Sequence, residues 1–121
     1  MGLDNFASRS PDDIVLSEVD LHAFQDSHIQ LCGGIFSGDG CNGSFRGKVY
    51  AEYVLEVTGE SLYAEWIPPE TVKEMYLAMA AYETARKLEV GRASPAEMEH
   101  SDLCKFLKVC SERSLGLVGW S

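Results

Sequence analysis

Residues 68–88 read PPETVKEMYLAMAAYETARKL, and this stretch decides the fold class. Its two prolines preset a helical φ at positions where the missing N–H costs nothing, and Glu70 follows where the positive end of a helix dipole favours an acid. Val72, Met75, Tyr76, Met79 and Tyr82 then recur at spacings of three and four, which puts an apolar stripe along one side of a long helix. Gly91 closes it. Such a stripe has to be buried against other elements, and the flanking sequence offers more helices.

Downstream, Ser94-Pro95-Ala96-Glu97 supplies a hydroxyl cap, a first-turn proline and an acid, and Met98, Leu103, Phe106, Leu107 and Cys110 form the inward stripe of a last helix. Upstream, Val49, Tyr50, Tyr53, Val54 and Val57 share one helical face that Gly59 terminates. Ser17-Glu18-Val19-Asp20 is close to a capping box and starts a short helix that runs to about Asp26. Ser10-Pro11-Asp12-Asp13 offers an earlier start, so the beginning of that helix stays open. Two apolar stretches carry too much glycine for a helix: 29–36, around Cys32-Gly33-Gly34, and 115–120, LGLVGW. They are expected to pair. The sequence thus predicts a single domain over 1–121, a mainly α form of α+β, with three to four helices around one core and a small β element near 29–36 and 115–120.

The composition, 45% apolar and 24% charged over 121 residues, is that of a globular domain able to bury a core without staples. No run reaches the roughly 18 apolar residues of a membrane span, and the first residues lack a signal peptide's basic head and apolar run, so a soluble cytoplasmic protein is expected. Phe6 stands where a myristoylation signal wants Ser or Thr, and the sequon Asn42-Gly43-Ser44 reads as a turn. In that compartment Cys32, Cys41, Cys104 and Cys110 are expected to be free thiols, and their spacings are not those of a zinc knuckle. His100 and Cys104, one helical turn apart, read as a surface histidine above a core cysteine. No metal or other cofactor is implied.

The net charge is -9, and residues 1–40 hold seven acids against Arg9, a net of -6. Such a field repels phosphate backbones and disfavours nucleic acid; it permits a basic protein partner or a small molecule. A homo-oligomer held by exposed parts of the Tyr and Met stripe is a further expectation.

The least regular segment is 33–47, which holds six glycines. Gly38-Asp39-Gly40-Cys41-Asn42-Gly43 fits a dinucleotide fingerprint in spacing, but no further βα units follow, and Gly47-Lys48-Val49 lacks the hydroxyl a phosphate loop needs. What the loop does deliver is Ser37, Asp39, Asn42, Ser44, Arg46 and Lys48 near a helix amino terminus, where an anionic group is favoured. The competing reading makes it a surface loop with Ser44 as a helix cap. Trp66, before the rigid Ile67-Pro68-Pro69, is either an aromatic ledge for a ligand or a plug between helices. His22, His28 and His100 complete no catalytic signature, and no catalytic residue is assigned. The sequence therefore favours a small non-enzymatic binding or regulatory domain. The alternative is a small enzyme or ligand-binding protein in which residues 33–48 hold an anionic group.

Overall fold

A computed structural model describes residues 3–10, 16–27, 29, 31, 43–90 and 95–120, with side chains left aside at 86–90, 95–101 and 120. In chain order the elements are β1 (Asp4–Ser8), α1 (Glu18–Asp26), β2 (Ser44–Phe45), a 3-10 turn (Gly47–Val49), α2 (Ala51–Thr58), β3 (Trp66–Ile67), α3 (Pro69–Val90), α4 (Pro95–Glu112) and β4 (Gly116–Trp120). The fold is α+β and mainly α, as the apolar periodicities predict.

The helix boundaries follow the local chemistry. Ser17 accepts a hydrogen bond from the Asp20 N–H and caps α1, so the later of the two starts is the one used. Gly59, at φ 78°, ends α2 in the left-handed conformation that a side chain would resist. The longest helix, α3, packs against α4 and α2, and its stripe delivers Val72, Met75 and Met79 to the core, each at most 1% exposed. From α4 come Leu103, Phe106, Leu107 and Cys110. Phe106 stands at the centre of an aromatic cluster, its ring 4.7 Å from Phe24 of α1 and 4.9 Å from Phe45 of β2, with Tyr50 on the far side of Phe45 at 5.9 Å. Close edge and tilted contacts of this kind add specific geometry to the burial of large apolar area.

The sheet is antiparallel in the order β2-β1-β4-β3. The strand expected near 115–120 is present as β4, but both of its edges are taken. Five residues of β1 pair with it on one side, from Asp4↔Trp120 to Ser8↔Gly116, and β3 pairs with it on the other through Trp66↔Val118 and Ile67↔Leu117. The expected pairing of 115–120 with 29–36 is thus replaced by pairing with β1 and β3. Residues 32–36 lie outside those described, and Ile29 and Leu31 are buried core residues outside any strand.

Two contacts explain small residues in and beside the sheet. A Cβ at position 119 would stand 2.3 Å from the Ala64 carbonyl oxygen and 2.7 Å from that of Leu62, so only glycine lets the 62–65 segment lie against β4. Gly47 meets β1 in the same way: a Cβ there would fall 1.6 Å from Oδ1 of the fully buried Asn5. Asn5 donates from Nδ2 to the Leu62 carbonyl at 3.1 Å, and so ties β1 to the segment that precedes β3.

Candidate interaction surface

Among the described residues, Ser44 and Trp66 of the predicted site lie on opposite edges of the sheet. Ser37, Asp39 and Asn42 lie outside the described residues, as do Cys32, Cys41 and His28. Ser44 is buried within β2, opposite Phe6, and is not a helix cap; the residue capping the 3-10 turn is Arg46, with no side-chain hydrogen bond. Arg46 is half-buried and Lys48 exposed, and the Lys48 N–H donates to the Leu3 carbonyl, docking the end of the loop on the start of β1. Trp66 sits in β3, the opposite edge strand of the sheet from Ser44, with β1 and β4 between them. Three strand spacings, roughly 14 Å, separate the two. The half-buried indole lies over Gly116, where a Cβ would meet it at 2.6 Å, so Trp66 packs on β4. His22 is exposed on α1, and the side chain of His100 lies outside the described residues. Cys104 and Cys110 are buried thiols outside any disulfide.

One charged group is buried at the junction of three elements. The Asp20 side chain, 1% exposed, accepts from Arg9 through both Nε (3.1 Å) and Nη2 (3.0 Å) and from Nε of Arg113 beyond the end of α4. Burial alone would raise its pKa; the hydrogen bonds from Arg113, Arg9 and Ser17 outweigh burial and hold the carboxyl below its ordinary value. Close by, burial pushes the Cys110 thiol far above its usual range, and the Asp20 charge adds to the rise. That thiol is a packing group, not a nucleophile.

Of the exposed large apolar side chains among the described residues, Val19 lies on α1 and Val49 in the 3-10 turn, whereas Leu55, Tyr63, Leu77 and Tyr82 belong to α2, α3 and their connection. On α2, burying Val54 leaves Glu52, Leu55 and Glu56 on the opposite face, with Leu55 52% exposed. On α3, burying Val72, Met75 and Met79 turns Glu70, Lys73, Glu74 and Leu77 outward, with Leu77 56% exposed. The two helices pack on the same core, and Tyr53 and Tyr82 close the seam between them edge to face at 5.8 Å. The connection after α2 adds Glu60, Tyr63 and Glu65, all exposed. Its turn is fixed by the Thr58 hydroxyl, which accepts from the Glu60 N–H, and by the Ser61 hydroxyl, which accepts from the Tyr63 N–H.

The exposed residues of α2, the connection and the first half of α3 therefore include Leu55, Tyr63 and Leu77 with six glutamates, 52, 56, 60, 65, 70 and 74, and a single lysine, Lys73. Among the described residues none of the six has an ion-pair partner. The inward stripe of α3 was legible in the sequence; this outward set was not singled out, although Glu70, Glu74 and Leu77 repeat at four and three on the other side of the same helix. Among the described residues no helix is long and apolar enough to cross a membrane. The chain matches no family model, no curated protein and no solved structure, so its function has to be argued from its own residues.

Proposed function

We propose that this protein is a non-enzymatic interaction domain that docks a basic, amphipathic segment of a partner protein on the outer surface of α2 and α3. The observation that carries this reading is that three large apolar side chains, each more than half exposed, share α2, its connection and the first half of α3 with six exposed glutamates and one exposed lysine, Lys73. Apolar anchors within a polar rim are the anatomy of a binding surface, and the sign of the rim selects the partner's charge. A second copy of the chain would bring carboxylates against carboxylates, so this surface favours a different, basic protein over a homo-oligomer.

Helix electrostatics point the same way. The carboxyl end of a helix is its negative pole and favours Lys or Arg, yet the last turn of α2 has no base and carries Glu56, with Glu60 just beyond. Each misplaced acid costs about 0.3–1 kcal/mol. A local rule broken at a loss in stability is where a functional demand is expected. The buried thiols Cys104 and Cys110, outside any disulfide, suit a reducing compartment, and the cytoplasm is the proposed location. The anion-holding reading of residues 33–48 is retained only for its described end, where Arg46 and Lys48 flank Gly47.

The test uses a fluorescent peptide of Lys/Leu heptads that folds as an amphipathic helix, with a scrambled peptide of the same composition as control. Anisotropy is expected to show tighter binding of the amphipathic peptide, weakening with salt because exposed charges are screened. Leu55→Ala with Leu77→Ala should weaken it about tenfold, the loss of roughly 1.4 kcal/mol of anchoring. Glu56→Lys with Glu60→Lys should raise thermal stability while abolishing the interaction. Equal affinity for the two peptides, or binding indifferent to these substitutions, would refute the docking surface.

A further inference from the structure

All five tyrosines of the chain lie among the described residues, and their surroundings set one apart. Tyr50 is 1% exposed in the aromatic cluster, Tyr53 and Tyr76 pack against the core from α2 and α3, and Tyr82, also on α3, is in edge contact with Tyr53. Tyr63 is the one that lies both outside every helix and strand and in the open, 54% exposed on the connection between α2 and β3. That connection holds it outward. Leu62, 1% exposed, is sunk in the core with its carbonyl accepting from Asn5 Nδ2 at 3.1 Å, and the Glu65 carbonyl accepts from the Gly119 N–H at 3.2 Å. Between these anchors Tyr63 and Ala64 stand exposed, turned out by Ser61, whose hydroxyl accepts from the Tyr63 N–H and whose carbonyl accepts from the Ala64 N–H. The flanks are acidic: Glu60 precedes Tyr63 and Glu65 follows it, both exposed.

We propose that Tyr63 is a phosphorylation site, the substrate of a tyrosine kinase whose substrate cleft is basic. Phosphoryl transfer requires the acceptor oxygen to lie in line with the terminal phosphorus of a nucleoside triphosphate at about 3–3.5 Å. A tyrosine on an exposed turn can be brought there, whereas one packed along a helix brings the helix surface against the kinase. The phenolic oxygen bonds to that phosphorus as the bond to the diphosphate breaks, the nucleoside diphosphate leaves, and the phenolic proton passes to a carboxylate of the kinase. Glu60 and Glu65 complement Lys and Arg of a basic cleft and repel an acidic one. The product carries a further charge of about -1.5 to -2 on the same exposed stretch as the six glutamates. Its consequence rests on the docking reading above: the added charge strengthens attraction for a basic partner, so modification of Tyr63 sets the affinity of that surface.

The test incubates the intact protein with magnesium ATP and the catalytic domain of a tyrosine kinase that prefers acidic substrates, beside one that prefers basic substrates, and maps phosphate by mass spectrometry. A single phosphate at Tyr63 is expected from the first kinase and little from the second. Tyr63→Phe should remove it, and Glu60→Gln with Glu65→Gln should slow the transfer about tenfold. The phosphorylated protein should bind the Lys/Leu peptide about three- to fivefold tighter, a difference that fades as salt screens the added charge. No transfer, phosphate spread evenly over Tyr53, Tyr76 and Tyr82, or transfer indifferent to the two glutamates overturns the site. Where the unmodified protein binds the peptide, an affinity unchanged by phosphorylation overturns the regulatory consequence. Transfer needs no peptide, so a protein that takes phosphate at Tyr63 and binds the peptide in neither form refutes the docking surface and upholds the site.

Discussion

A carboxylate with 1% of its side chain exposed needs compensation, and Asp20 obtains it from two guanidinium groups. Folding lowers its pKa from the ordinary 3.8, so in acid the unfolded chain binds this proton more readily than the native protein does. The resulting stabilisation is fully present above that value and is lost as pH falls through the lowered native one. Asp20→Asn is expected to cost about 2–3 kcal/mol at neutral pH and to flatten the acid limb of the stability profile. Denaturant unfolding from neutral pH down to about pH 2 measures both; an unchanged acid limb would show that Asp20 is not the group being titrated. Asp20 was legible in the sequence only as an acid in a capped first turn. Its partner Arg113 lies 93 residues away, a distance across which local pattern is silent.

Among the elements, the helices and β4 were legible and β1, β2 and β3 were not, for a definite physical reason. Helix ends are written in capping chemistry, and Ser17, Gly59 and Pro69 each stand at a boundary the residues themselves specify. In β1 the expected alternation is inverted: polar Asn5 is fully buried while apolar Phe6 is only half-buried, so the period-two signal of a strand disappears. Two-residue strands such as β2 and β3 have no period to read at all. The end of α4 carries an element-scale prediction. Ser114 holds φ 57°, a left-handed conformation normally given to glycine, while the Leu115 N–H closes back on the Cys110 carbonyl at 2.8 Å. Ser114→Gly should relieve about 1 kcal/mol of strain, partly offset by the freer unfolded chain, for a net gain of about 0.5 kcal/mol. Ser114→Val should lose stability instead. Thermal melts of the two variants are expected to move in opposite directions; shifts of the same sign would mean that the left-handed conformation is not the controlling feature.

At the scale of the molecule, the fold class was readable from apolar periodicity, but the sheet was not, because strand pairing is decided by contacts between distant residues. The candidate surface shows the same limit. Ser44 and Trp66 both stood among the candidate ligand-binding residues, and the strand order places them on opposite edges of the sheet. Leu55 and Leu77, 22 positions apart, are brought onto adjoining helices by a packing that neither helix encodes alone. Deleting residues 116–120 tests this organisation: amide exchange should rise together in 4–8 and 66–67, the two segments bonded to β4. Persistent protection of 4–8 in the shortened chain would mean that β1 is held by β2 and Asn5 alone.

The central position of β4 also bears on synthesis. A ribosome delivers residues 116–120 after the other described elements, yet β1, which precedes them all, finds its longest partner only there. Until then the helices can form and begin to pack while β1 and β3 wait with open edges, surfaces that invite pairing with another chain. Until β4 is made these edges stay open to mispairing, and completion of the sheet closes them.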